Sequence, residues 1–129
     1  MSIENLEREQ ESPRFFKGNI KDFDKNKGYF IGAFLKDPLL QREDLECAIM
    51  ELPVIDESKP HYHKLMYEVT FVLSGRLRLI VDQKEEINLE ENEFLVIPPG
   101  TVLQNPENAP GTKVFVVKTP SAPGDKFDV

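Results

Sequence analysis

The two histidines of this 129-residue chain occur together, in His61-Tyr62-His63, and Glu68 follows five residues later. Side chains alternate between the faces of a β-strand, so residues two apart point the same way. Two imidazoles on one face with a carboxylate nearby make a mixed nitrogen–oxygen donor set for a divalent transition metal. Three such ligands leave coordination positions open, as in facial iron sites and in catalytic zinc sites that keep a water. Iron, manganese, zinc and nickel all suit the set. The alternative role is structural: Glu68 as a buried carboxylate hydrogen-bonded to a histidine.

The spacing imposes a condition. Glu68 lies an odd number of residues beyond His63, so on one unbroken strand it faces away from both imidazoles. Convergence requires a bend within Lys64-Leu65-Met66-Tyr67, a stretch without Gly or Pro. Thr70 shares the Glu68 face and is a candidate substrate-binding residue, or else a packed β-branched side chain. Tyr62 and Tyr67 fall on the opposite faces.

Gly75 follows Glu68 by seven positions, and Pro98-Pro99-Gly100 closes a later apolar run. Together, HxH-x4-E-x6-G and PPG resemble the two signature motifs of the cupin superfamily, over about residues 25 to 120. The resemblance implies an all-β fold, a double-stranded β-helix or jelly-roll barrel. It also implies that His61, His63 and Glu68 lie on adjacent strands joined by a short loop. The family's second motif ends in a further ligating histidine, and here that position is Leu103, which has no lone pair to give. Gln104 beside it has an amide oxygen and is a fourth metal candidate, although strand alternation turns it to the other face unless the backbone slips.

The elements that must position these residues are short strands between turn signals. Tyr29 to Leu35, Leu45 to Leu52, the His61 strand, Glu68 to Leu73, Arg76 to Val81, Glu86 to Leu89, Phe94 to Ile97 and Val114 to Val117 all read as strands. Pro38 to Leu45 has room for a helical turn or two. Gly75 supplies a turn of positive φ. Pro120 and Pro123 keep the tail non-helical. Residues 1–13 are a charged stretch with only Ile3 and Leu6 to anchor it. The organisation expected is an arm at 1–22, partly frayed or lent to dimerisation, and one barrel at 23–129.

Composition narrows the function classes. A net charge of −7, with 16 basic against 23 acidic residues, disfavours nucleic acid as a partner. Arg76 and Arg78 share a face and form either an anion site or the solvated side of an edge strand. No apolar run is long enough to span a bilayer, and the polar start MSIENLEREQESPR lacks a signal peptide's apolar core, so the default location is cytoplasmic. The lone Cys47 sits in an apolar stretch and reads as a buried, inert thiol. Phe15, Phe16, Tyr29, Ile31 and Phe34 give the N-terminal third excess apolar area. The resemblance implies pairing through N-terminal strands, and a homodimer is expected.

Three functions compete. The first is a metal-dependent cupin acting on a small organic molecule by isomerase- or oxygenase-type chemistry, the ion serving as Lewis acid. The second is a non-catalytic module, metal-free or not, holding a sugar or organic acid; Leu103 favours it. The third, a sugar-nucleotide epimerase, needs a separate His–carboxylate dyad and ranks last, because no histidine lies beyond position 63.

Overall fold

Ten strands alternate with tight turns along the computed structural model, which describes residues 14–129. They are β1 (Tyr29–Ile31), β2 (Glu46–Glu51), β3 (His61–Tyr62), β4 (Tyr67–Ser74), β5 (Arg76–Val81), β6 (Glu85–Glu90), β7 (Phe94–Ile97), β8 (Leu103–Asn108), β9 (Lys113–Thr119) and β10 (Phe127–Asp128). One antiparallel sheet has the order β1-β2-β9-β4-β7, the other β10-β3-β8-β5-β6. The described residues are all-β apart from a 3₁₀ helix over Ile20–Asn26, opened by the Asn19 side chain accepting the Lys21 amide. The charged stretch 1–13 lies outside the described residues. Among the described residues no helix is long and apolar enough to cross a membrane.

Alternation builds the core. Val72 on β4, Leu77 and Leu79 on β5, Leu89 on β6 and Val114 and Val116 on β9 form its buried centre. Each such side chain removed from water contributes about 1.5–3 kcal/mol before chain entropy is counted. Gly75 turns β4 into β5 at φ +83°, and a Cβ there would collide with Thr112, so only glycine fits.

Several strand expectations change in detail. β1 is shorter than Tyr29 to Leu35, because the chain turns away at Gly32, whose amide bonds the Leu40 carbonyl. The 38–45 stretch holds a single turn, with the Asp37 carboxylate accepting the Leu39 amide. β8 and β10 carry little hydrophobic alternation and are held by their neighbours. β8 contains Pro106, tolerated where its register against β5 shifts between Arg78 and Ile80. β5 is not an edge strand: it pairs with both β6 and β8, and Arg78 bonds Glu86 at 2.6 Å and Glu107 at 3.3 Å across them. Cys47 is buried, which pushes its thiol pKa up and keeps it protonated.

The outer face of β1 and β2 is covered by the 3₁₀ helix. Between them lies a cavity of about 350 Å³, lined among others by Phe16, Phe23, Phe30, Ile31, Leu40 and Ile49.

Candidate functional site

Cross-strand register brings the polar residues to one end of the barrel interior. Glu46, Lys118 and Glu68 lie in a row across β2, β9 and β4, with Ile97 of β7 beyond Glu68. The next inward row is Ala48, Val116 and Thr70, and the one after is Met50, Val114 and Val72. Polar and apolar ends of the same face are thus two residues apart. On the facing sheet His61 pairs directly with Leu103, so these two share a face.

The bend before Glu68 is built without Gly or Pro. Asp125, close in space though far along the chain, accepts the amides of Lys64, Leu65 and Met66 on its carboxylate, each at 2.9 Å. Three amides gathered on one carboxylate stand in for the turn residues the segment lacks. Burial alone would raise the Asp125 pKa; these amides and His63 outweigh it and hold it below the usual carboxylate value. The Pro98-Pro99-Gly100 turn joins the same construction, since the Gly100 amide donates to the His63 carbonyl at 2.7 Å.

Each imidazole is fixed through Nδ1. His61 Nδ1 lies 3.1 Å from the Lys59 carbonyl, and His63 Nδ1 meets the Asp125 carbonyl. A carbonyl only accepts, so both Nδ1 atoms carry hydrogen and the neutral rings hold their lone pair at Nε2. The rings stand 5.6 Å apart at 77°. His63 Nε2 is buried and has no hydrogen-bond partner among the described residues; the Glu68 carboxylate oxygen Oε1 is 3.6 Å away, too far for a hydrogen bond. The other Glu68 oxygen accepts from Thr70 Oγ1 at 2.8 Å.

The electrostatics follow from this contact. Glu68 raises the His63 pKa, against burial and the Lys118 charge. Burial lowers that of His61. For Glu68, burial pushes upward, but His63, Lys118 and Thr70 together bring the carboxyl below its usual value. Lys118, half-buried, donates to Tyr29 Oη at 2.8 Å; burial opposes its charge, while Tyr29, Glu68 and Glu46 raise its pKa on balance.

Comparison with known sequences decides the family. The cupin domain profile matches residues 48–117, which hold the His61–Glu68 segment, Gly75 and the PPG turn. The chain belongs to the cupin family. Among solved structures this cupin is similar to a cupin protein from Bacteroides fragilis, at 25% identity over 67% of this chain and 73% of that one, TM-score 0.55. It also resembles a double-stranded β-helix protein from Klebsiella pneumoniae, at 14% identity over 90% and 96% of the two chains, TM-score 0.61. A third likeness is Streptomyces PAC13 with uridine, at 10% identity over 89% and 91%, TM-score 0.55. No curated protein matches the chain significantly.

The cupin fold thus brings His63, Glu68 and Thr70 into contact and sets His61 one ring away. Among the described residues no group of three His, Cys, Asp or Glu side chains is drawn close enough to hold a metal ion. The donor chemistry nevertheless fits a divalent ion. Two imidazoles present Nε2 lone pairs with Nδ1 locked to carbonyls, the outer arrangement that fixes metal-binding histidines. Gln104 pairs with Ile80 and falls on the face opposite Leu103. Tyr62 stacks on Phe127 with centroids 5.6 Å apart, away from the site.

Sequence reasoning missed Lys118, Asp125, Tyr29 and Glu46. Lys118 had a visible signal: it continues the inward parity of Val114 and Val116, where an apolar residue belongs. Asp125 had none, because its role depends on the tail returning beside β3.

Proposed function

We propose that this chain is a metal-binding cupin in which His61, His63 and Glu68 hold a divalent transition ion (iron, manganese, zinc or nickel). It acts on a small organic molecule by isomerase- or oxygenase-type chemistry. The observation that carries the reading is His63 Nε2, a buried nitrogen without a hydrogen-bond partner among the described residues, its lone pair directed by the Asp125 carbonyl toward Glu68. Leaving such an atom unsatisfied costs about 1–3 kcal/mol, and either an ion or a shared proton removes that cost. When bound, the ion supplies a Lewis acid in the barrel.

The chain's own residues then have separable tasks. Asp125 fixes the His63 ring, Lys59 fixes that of His61, and Thr70 orients Glu68 so that one oxygen faces His63. Thr70, on the inward face beside Glu68, is also the candidate substrate-binding residue. Ile97, buried beside Glu68, excludes water from its far side.

A metal-free ligand-binding cupin is the second reading, favoured by Leu103 directly across from His61. In that case a proton fills the gap between Nε2 and Oε1. Elemental analysis of protein purified without added metal, with anomalous scattering from crystals, separates the two. Near-stoichiometric transition metal at His61 and His63 supports the first reading, and its absence after metal loading supports the second.

A further inference from the structure

Lys118 carries a charge that its surroundings leave partly unused. It occupies an inward position of β9 between two cross-strand carboxylates, Glu46 and Glu68. Opposite charges placed directly across a sheet ordinarily close into an ion pair. Here each is turned elsewhere: Glu46 Oε2 accepts from Ser121 Oγ at 2.9 Å and Glu68 Oε2 from Thr70 Oγ1 at 2.8 Å. The ammonium donates to Tyr29 Oη. An ammonium has three hydrogens to donate, so among the described residues two of them are left for a ligand.

Charge counting gives the ligand's class. With neutral imidazoles, one ammonium against two carboxylates leaves the cluster one negative charge. A divalent ion reverses this to one positive charge, which a single carboxylate cancels. A phosphate dianion would overshoot. We propose that the site takes a small monoanionic organic acid and that Lys118, steadied by Tyr29, is the specificity-determining residue that holds its carboxylate. The charge count rests on the metal-binding reading, whereas the lysine's free donors do not.

The test is calorimetric titration of the full chain, both metal-free and loaded with Mn²⁺, with acetate, glycolate and pyruvate, their neutral amides, and inorganic phosphate. At least one acid is expected to bind the loaded protein about tenfold or more tighter than its amide, a difference of about 1.4 kcal/mol. Lys118→Met should reduce that acid to the amide's affinity with Mn²⁺ stoichiometry unchanged, and Lys118→Arg should keep the preference. The inference is overturned if no acid is preferred to its amide, if phosphate binds tighter than every acid, or if the preference survives in Lys118→Met. Should Lys118→Met not fold, the parent's acid-against-amide comparison and Lys118→Arg decide the matter. Failure of the metal-binding reading registers separately, as no Mn²⁺ uptake; the acid preference is then read on the metal-free chain, where the lysine alone predicts a weaker one.

Discussion

Asp125 holds His63 twice over: its carbonyl meets Nδ1 of the ring, and its carboxylate gathers the amides of the three residues that follow His63. A residue four positions before Val129 therefore sets both the ring's orientation and the bend that brings Glu68 beside it. Charge-assisted hydrogen bonds contribute about 1.5–3 kcal/mol each, less when several share one acceptor. Asp125→Ala is expected to lower stability by about 2–4 kcal/mol in urea denaturation. It should also weaken metal uptake, because His63 and Glu68 lose their common frame. A stability change below about 0.5 kcal/mol would show that the bend forms without this carboxylate.

The same contact predicts an acid limb in the stability curve. The folded Asp125 pKa lies below its unfolded value of about 3.9. Its contribution is therefore complete above that unfolded value and is lost as pH falls through the folded pKa. Asp125→Asn should flatten the stability curve below about pH 4 relative to the parent. Parallel parent and variant curves through that range would contradict the assignment.

Much of this architecture is written locally, and the exceptions share a cause. His61, His63 and Thr70 announce their faces by strand parity, and Gly75 announces its turn. The core positions Val72, Leu77, Leu79 and Val114 follow the same alternation. β8 and β10 do not, because their pairing is dictated by strands already in place rather than by their own patterning. The bend at Lys64-Leu65-Met66 was required by geometry but has no local signature, since its acceptor comes from Asp125. The inward lysine at 118 interrupts an otherwise regular apolar parity, and such interruptions mark sites.

His61→Ala and His63→Ala should each abolish retention of metal, but their costs in stability should differ. His61 is half-buried, and its loss should cost under about 1 kcal/mol. His63 is 6% exposed and held by Asp125, so its truncation should cost about 1–3 kcal/mol. Both variants should still unfold cooperatively on heating. If either loses its thermal transition entirely, the pair serves the fold and not an ion.

The chain should be a dimer in solution. Phe15 is 77% exposed, Phe16 44% and Phe34 43%, all on the N-terminal part of the described chain. Tyr29, however, turns its hydroxyl inward to accept from Lys118. Covering such side chains is worth up to about 1.5–3 kcal/mol apiece. Light scattering at micromolar concentration should give twice the 14.8 kDa chain mass, and Phe15→Ser with Phe34→Ser should shift the population toward monomer. A monomer mass for the parent would refute the expectation.

Leu103 offers the sharpest mutational probe, because it faces His61 across the β3–β8 pair while Gln104 faces away. If His61, His63 and Glu68 hold an ion, Leu103→His adds a donor beside them and should tighten metal binding by about tenfold or more, roughly 1.4 kcal/mol. The added imidazole binds only when neutral, so the gain should grow as pH rises through about 6.5. There is an opposing cost: Leu103 packs against the buried core cluster, and a polar ring there should reduce metal-free stability by about 1–2 kcal/mol. The variant is therefore expected to melt earlier than the parent without metal and to gain more from metal than the parent does. Gln104→Ala should change neither property, since its side chain lies on the opposite face of β8. Loss of metal in Gln104→Ala would mean that the strand slips by one residue when the ion binds. Unchanged affinity in both variants would mean that β8 does not face the ion at all.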